Sequence, residues 1–292
     1  MTLIIRQMAL AVLGLLLVSG SYVLQVRLDQ LQGGAQKIQR FAFLPQPEVL
    51  KIVSLGYQSI VADFIWLQAI QAMSEKRLSE EAGRWIYRAL DVVTTLDPQF
   101  VRAYEAGGLA LCTLVVLPEE SNALLEKGMK HNPQVWQLPF ILGINYYFEL
   151  GDDAKAGEYI AKAASLPGAP AYLSGLAARL YVSAKAPQNA VELLASLYEH
   201  AADGDARQVL EQRLKQAIVE RDIQVLEAAI GRYRDRFSYP PDQLGDLVAQ
   251  GVLRVLPGDP FGGEYLYDPY IQVVSSSSVK ERLTMKGHRR QG

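Results

Sequence analysis

Apolar side chains recur at helical spacing along most of this chain. Two such segments, residues 57–73 and 80–96, end at the pair Asp97 and Pro98, where proline stops a helix. A later segment, residues 205–237, places apolar residues three to four positions apart among many charges. This periodicity predicts a mainly α-helical protein with one long, charged helix. The interleaved charges of that helix, such as Glu211 and Arg213, are expected on a solvated face.

Prolines also recur after helix-length segments. Pro98, Pro133 and Pro167 are spaced by 35 and 34 residues. A fixed period of this size is typical of stacked helix pairs, in which each pair buries its apolar face against the next pair. We therefore expect an array of helical repeats between residues 53 and 204.

The unit that ends at Pro167 has the clearest internal pattern. Its two helices alternate large and small side chains at Trp136, Leu142, Gly143, Tyr146, Ala156, Ile160 and Ala163. Large residues on one helix fill the space left by small residues on the other, and Gly143 allows the two helices to approach closely. The pattern resembles the tetratricopeptide repeat, with one extra residue at the turn 151–153. The preceding unit matches at Tyr104, Gly107, Gly108, Leu111, Leu125 and Gly128, and the following unit at Ala178, Tyr181, Ala190, Leu194 and Leu197.

The resemblance implies a TPR-like right-handed α-solenoid of four helix pairs over residues 53–204. The first pair, residues 57–73 and 80–96, is either a looser repeat or a capping pair. An irregular α-helical domain is the alternative to the solenoid. In such domains the first helix of each pair lines a concave face that holds a peptide or a partner helix. Arg102 and Arg179 are the strongest candidates on this face, because burying them without a partner would be costly. The aromatic members of the set have a second interpretation, since aromatic residues at helical spacing also form cores. The full predicted binding set is Arg102, Glu105, Leu109, Phe140, Ile144, Asn145, Tyr147, Tyr172 and Arg179.

Residues 238–275 predict a small α+β module that follows the long helix 205–237. Turn residues alternate there with aromatic ones, at Tyr239, Pro240, Pro257, Asp259, Pro260, Gly262, Gly263, Tyr265 and Tyr267. This segment resembles the region after the long helix in major pseudopilins of type II secretion. The chain departs from that family at residues 2–5, which lack its glycine and glutamate, so it is not itself a pilin subunit. It also lacks the later acidic calcium loop, and structural roles are expected for Asp259 and Asp268. Residues 276–292 are rich in basic side chains and predict a flexible tail.

An uncharged apolar run occupies residues 8–24. At about 1.5 Å per residue it is about 26 Å long, which is near the short limit for spanning a bilayer. We predict a single-pass signal anchor within residues 1–27, followed by a linker over residues 28–52. A cleaved signal peptide is the alternative, because Val18, Ser19 and Gly20 resemble a signal-peptidase site. The usual orientation of such segments places the bulk of the chain in the periplasm, anchored in a bacterial inner membrane.

Composition removes several other classes of function. The formal net charge is -2, which gives no field to attract nucleic acid. The single cysteine, Cys112, excludes an intramolecular disulfide or a cysteine-based metal cluster, and we expect it to be a small buried residue. The sequence contains no nucleophile elbow, Walker loop or HExxH motif, so no enzyme activity, cofactor or small-molecule substrate is predicted. Acidic pairs such as Glu80–Glu81, Glu119–Glu120 and Asp152–Asp153 are expected at helix starts instead.

These observations favour a membrane-anchored scaffold or adaptor that binds other proteins. The pseudopilin resemblance implies a role in assembling an envelope machine of the type IV pilus or type II secretion kind. The alternative is a periplasmic chaperone, or an accessory protein of a transporter, that holds exported polypeptides. An enzyme whose acid and base come from distant repeats is the third and least supported hypothesis.

Overall fold

A computed structural model of the chain describes residues 19, 44–75, 78–202, 204–283 and 285. These residues are mainly helical, with a small two-stranded antiparallel sheet, as the sequence predicts. The chain divides into two compact units, Met1–Leu96 and Asp97–Gly292. The first unit contains α1 (Pro47–Val53), α2 (Gln58–Met73) and α3 (Glu80–Leu96). The second contains α4 (Val101–Thr113), α5 (Pro118–His131), α6 (Gln137–Phe148), α7 (Asp153–Ala164), α8 (Tyr172–Ser183), α9 (Pro187–His200), α10 (Asp205–Phe237), α11 (Gly245–Ala249), β1 (Tyr265–Asp268) and β2 (Val273–Ser276).

In the first unit, α3 packs against both α1 and α2. Its start follows capping chemistry, because the Ser79 hydroxyl accepts a hydrogen bond from the Ala82 amide at 3.2 Å. The acidic pairs at 80–81, 119–120 and 152–153 all lie at helix starts, as predicted. There their negative charge complements the helix dipole.

In the second unit, each helix from α4 to α9 packs against the next one, and α4 also packs against α6. Glycines bring the paired helices close together. A Cβ added at Gly143 would lie 2.7 Å from Ile160 Cδ1, closer than real Cβ atoms approach other atoms, and at a tight 3.1 Å from the Ala156 carbonyl oxygen. The close approach predicted at Gly143 is therefore confirmed. Cys112 is 1% exposed, which confirms its prediction as a buried residue.

A buried polar network joins α4, α5 and α6. The Asn145 amide nitrogen donates hydrogen bonds to Ser121 Oγ at 2.8 Å and to Asn122 Oδ1 at 3.0 Å. Ser121 in turn donates to the Gly108 carbonyl at 2.6 Å. Because these groups satisfy one another, they can be buried among apolar neighbours without a large penalty.

The long helix α10 has the bounds that the sequence predicts. Its C-terminal half shares an apolar core with α11 and with the sheet, through Ile223, Leu226, Tyr233, Leu247 and Val274. In the sheet, Tyr265 pairs with Ser276 and Tyr267 with Val274, so both tyrosines face this core. Gly262 has φ +83° in the turn before β1, as its turn chemistry predicts.

Part of the segment predicted as a flexible tail packs on α10. Glu220 is 1% exposed and accepts hydrogen bonds from Arg282 Nε at 2.8 Å and from the Leu283 amide at 2.7 Å. Leu283 also packs against the core formed by α8, α9 and α10. The tail prediction missed this contact, because the charge pattern of residues 276–292 says nothing about a distant buried carboxylate.

Two other predicted boundaries concern the start of the chain. Within the predicted linker 28–52, α1 already begins at Pro47. The predicted membrane segment 8–24 lies outside the described residues, apart from Ser19. In the part of the chain that the structure describes, no helix combines the length and the apolar character that crossing a membrane requires.

Candidate functional site

The predicted binding residues fall into three classes of exposure. Arg102, Leu109, Tyr172 and Arg179 are exposed, Glu105, Phe140 and Ile144 are half-buried, and Asn145 and Tyr147 are buried. The exposed members lie on α4 and α8, which are separated along the chain by α5, α6 and α7. The structure therefore does not bring all nine residues onto one open surface.

The two buried members of the set contribute to packing. Asn145 is 2% exposed and forms the network with Ser121 described above. Tyr147 is 5% exposed and belongs to the core between α6, α7 and α8. Phe140 packs against the same core, with its ring 6.0 Å from that of Trp136. Tyr147 and Phe140 therefore match the second interpretation of the aromatic residues, in which aromatic side chains at helical spacing form a core.

On α4, Arg102 and Glu105 form an ion pair with a separation of 3.0 Å. The Arg102 side chain is 83% exposed. Exposed pairs of this kind contribute little to stability, and the arginine can leave its partner at small cost. Arg102 thus remains accessible to a ligand.

A largely apolar cavity of about 430 Å³ lies between the end of α7, the start of α8, the end of α9 and the start of α10. Its polar members are Ser174, Asp205 and Arg213. Small and aliphatic side chains form the rest of the lining, including Ala164, Pro170, Leu197, Val209 and Leu210. An apolar concavity with a few polar groups has the composition of a ligand or peptide site.

Arg213 is the main cation of this cavity. Its Nη1 atom donates hydrogen bonds to the Ala171 carbonyl and to Ser174 Oγ, both at 2.8 Å. The guanidinium lies against Gly175, where an added Cβ would be 3.3 Å from Arg213 Cζ. A larger residue at position 175 would therefore crowd the arginine.

The charges around Arg213 are unbalanced. Burial, and then the nearby charge of Arg179, lower the pKa of Arg213, although an arginine remains protonated at neutral pH. Among the described residues, neither arginine forms an ion pair with a carboxylate. The Asp205 carboxylate also lines the cavity, so the two arginines and this aspartate leave one net positive charge there. A surplus of positive charge beside an apolar cavity would favour a ligand that has a carboxylate next to an apolar group.

Sequence reasoning identified Arg179 but missed Arg213. The charges of α10 follow a helical pattern that indicates a solvated face, and Arg213 lies 42 residues from the carbonyl that it contacts. No local pattern reports a contact over that distance. The only available signal was Gly175, whose missing side chain leaves room for the guanidinium.

In the C-terminal module, the carboxylates of the predicted turns have structural roles. Asp259 accepts hydrogen bonds from the Phe261 amide at 2.8 Å and from the Ser276 hydroxyl at 2.6 Å. Asp268 accepts from the Tyr270 amide at 2.9 Å. The structural roles expected for both residues are therefore confirmed. Within the described residues, no group of three or more His, Cys, Asp or Glu side chains is placed to hold a metal ion.

A side-chain hydrogen bond ties β1 to the long helix α10. The Tyr265 hydroxyl donates to Asp222 Oδ2 at 3.0 Å, and Asp222, which is 4% exposed, also pairs with Arg221 at 2.8 Å. Burial, followed by the negative charge of Asp222, raises the pKa of Tyr265 well above its usual value. The folded state therefore favours the protonated phenol.

This contact predicts a stability effect at alkaline pH. A tyrosine whose pKa is raised on folding stabilises the protein below its unfolded pKa of about 10, and the contribution is lost as pH rises above that value. We expect Tyr265→Phe to lower the free energy of unfolding by about 1–3 kcal/mol at pH 7, through loss of a hydrogen bond to a charged group. We also expect the wild type to lose more stability than the variant between pH 9 and pH 11. Urea unfolding across this pH range measures both effects, and parallel pH curves for the two proteins would contradict the assignment.

No protein-family model matches the chain, and no curated protein shows significant similarity to it. The resemblances to tetratricopeptide repeats and to pseudopilins rest on the residues named above.

Proposed function

We propose that this chain is a membrane-anchored scaffold that binds other proteins through a right-handed α-solenoid of the tetratricopeptide type. Support for the solenoid comes from packing that repeats along the chain. Gly108 faces Leu125, Gly143 faces Ile160, and Ala178 shares a buried cluster with Leu194. The small residues are 35 positions apart, and their large partners are 35 and 34 apart. A small residue thus packs with a large one at the same position in each of the three helix pairs from α4 to α9.

The observation that carries the binding function is the cavity at the ends of α7 to α10. It offers an apolar surface of small side chains, and Arg213 projects a positive charge onto it. Arg179, on the exposed side of α8, adds a second positive charge nearby. A peptide segment with an apolar side chain next to a carboxylate matches this combination. Burial of the apolar group would supply affinity, and the arginines would orient the carboxylate.

The proposed location at a membrane is based on the apolar run at residues 8–24. The proposed adaptor role is based on the resemblances to tetratricopeptide repeats and to pseudopilins. A single-pass anchor in a bacterial inner membrane would hold the folded part in the periplasm. The pseudopilin-like module over residues 238–275 then suggests an adaptor for an envelope machine of the type IV pilus or type II secretion kind. Such an adaptor would have one fixed protein partner, and would need no cofactor, nucleic acid or small-molecule substrate.

Crosslinking in intact membranes tests this function. A photoreactive amino acid at Val209, which lines the cavity, is expected to capture one membrane or periplasmic protein in stoichiometric amounts. Capture of many unrelated exported chains would support the chaperone alternative instead. The same photoreactive amino acid at the exposed position Arg232 is the control. If the probe at Val209 captures no more protein than the probe at Arg232, the cavity is excluded as a binding site.

The arginines are expected to determine the strength of this capture. Arg179→Glu should reduce the Val209 adduct about tenfold, since a charge-assisted hydrogen bond contributes about 1.5–3 kcal/mol. Arg179 is exposed, so the reversal should leave the melting temperature nearly unchanged. Arg213→Ala should reduce the adduct further, but it also removes two internal hydrogen bonds, and its stability must be measured in parallel. Arg232→Ala, an exposed position on the same helix as Arg213, is the matched control. Unchanged capture by both Arg179→Glu and Arg213→Ala would refute the assignment.

A further inference from the structure

The first unit has an apolar face that nothing covers among the described residues. Within the 22 residues from Val49 to Ile70, large apolar side chains point outward from α1, from the following turn and from α2. Leu55 is 85% exposed, Phe64 66% and Leu67 56%. Soluble proteins rarely expose contiguous apolar surface of this extent without a binding role. We call this surface the outer face; its members are Val49, Ile52, Val53, Leu55, Tyr57, Ile60, Phe64, Leu67 and Ile70.

The two sides of α2 are both apolar. One side is buried at Ala62, Ile65, Ala69 and Ala72, and the helix packs there against α3. The other side contains Ile60, Phe64 and Leu67, at the three- and four-residue spacing of a single helical face. A helix that has apolar residues on two sides normally buries both of them. The outer face of α2 therefore requires an apolar environment from outside the described residues.

The location of the outer face along the chain indicates what that environment is. The predicted membrane segment ends at residue 24, and α1 begins at Pro47, so 22 residues connect them. Even a fully extended chain of 22 residues reaches no farther than about 75 Å. The outer face is thus held near the bilayer surface whenever the anchor is inserted.

The charges near the outer face also suit a membrane surface. The connector contains Arg27, Lys37 and Arg40 against Asp29, an excess of positive charge next to α1. Basic residues close to a bilayer are attracted by anionic headgroups. On the helices themselves, Glu48, Lys51 and Asp63 are exposed, so the positive charge comes from the connector and not from the helices. A second copy of the chain would not require this basic connector.

We propose that the outer face of α1 and α2 lies in the interfacial region of the lipid bilayer, with Phe64 and Leu67 among the acyl chains. This surface is separate from the cavity at Arg213, and it gives the first unit a membrane contact in addition to the predicted anchor. The proposal rests on the membrane location proposed above but not on the identity of a protein partner. An apolar helix face that is exposed to the bilayer binds it through burial of apolar area.

Depth-dependent quenching on the full chain tests the proposal. In a Cys112→Ala background, single cysteines at Phe64 and Leu67 are labelled with an environment-sensitive fluorophore. The protein is then reconstituted into vesicles of phosphatidylethanolamine and phosphatidylglycerol, with or without lipids that bear a nitroxide on the acyl chain. We expect a blue-shifted emission and a several-fold loss of intensity with the nitroxide lipid. A label at Arg88, exposed on α3 of the same unit, is the matched control and should show neither effect.

Two further measurements separate this proposal from the membrane anchor and from other occupants. Phe64→Asp plus Leu67→Asp, with a label at Ile60, should remove quenching while the chain still floats with the vesicles, because the anchor is unchanged. Loss of flotation for the unaltered chain would refute the anchor, and with it the basis of this proposal. Unquenched labels at Phe64 and Leu67 on a floating chain would overturn the bilayer contact alone. Disulfide formation between Phe64→Cys chains would identify a second copy as the occupant, and would equally overturn the proposal.

Discussion

Replacing Gly143 with leucine is expected to lower the free energy of unfolding by about 3 kcal/mol, the upper end of the usual cost of overpacking a core. The first added atom already falls 2.7 Å from Ile160 and 3.1 Å from the Ala156 carbonyl oxygen. The backbone carbonyl cannot move without distorting α7, so the two helices must separate. Leucine favours a helix over glycine by about 1 kcal/mol. Because the steric cost of the added side chain is larger than this gain, we still expect a net loss of stability. Urea unfolding followed by circular dichroism measures the difference.

The matched control is Gly231→Leu on α10, where an added Cβ meets no atom within 4 Å. This change should leave stability unaltered or raise it by up to about 1 kcal/mol. Combining Gly143→Leu with Ile160→Ala exchanges the large and small positions of the contact. We expect the double variant to be more stable than the sum of its two single changes by at least about 1 kcal/mol. If the two changes in the free energy of unfolding are strictly additive, the side chains at positions 143 and 160 do not compete for the same space.

Arg282→Ala should destabilise the second unit by about 2–3 kcal/mol, somewhat less than the usual cost of removing one partner of a fully buried ion pair. Glu220 is 1% exposed, and without the arginine its charge keeps, among the described residues, only the Leu283 amide as a hydrogen-bond donor. The expected loss of stability is smaller than for a fully buried pair because the Arg282 side chain is 38% exposed, so water can partly replace it. Thermal unfolding and limited proteolysis near residue 280 both measure the effect.

Lys280→Ala is the control for this change, because Lys280 is exposed and should contribute less than about 0.5 kcal/mol. Glu220→Gln in the Arg282→Ala background removes the uncompensated charge and should restore part of the lost stability. If Arg282→Ala lowers the free energy of unfolding as little as Lys280→Ala does, Arg282 does not stabilise the buried Glu220 carboxylate. Residues 280–283 would then be free of α10 in solution, as the tail prediction holds.

The features that sequence alone predicts correctly depend on neighbours in the chain. The bounds of α10 follow from apolar periodicity, and the acidic pairs at helix starts follow from the helix dipole. The contact at Gly143 is predictable because the two helices of a pair are joined by a short turn. Fixed spacing and local chemistry are sufficient in each of these cases.

The features that sequence misses depend on contacts between distant segments. Asn145 and Tyr147 share helical spacing with exposed positions, and only the packing of α5 and α7 decides that they are buried. Arg213 reaches a carbonyl 42 residues away, and Arg282 reaches a carboxylate 62 residues away. A single sequence contains no rule that pairs such residues. The cavity beside Arg213 was therefore not predicted, although one of the two arginines near it was.

The polar network around Asn145 opposes the local unfolding of α6 on its own within the second unit. Its hydrogen bonds cross from α6 to α5, and from α5 back to α4. If α6 alone were to detach, Ser121 and Asn122 would lose a shared donor inside an apolar core, at the cost of leaving buried polar groups unpaired. Neighbouring pairs in helical arrays otherwise fray one at a time. We therefore expect α4, α5 and α6 to unfold as one cooperative unit, with amide hydrogens that exchange with solvent in concert.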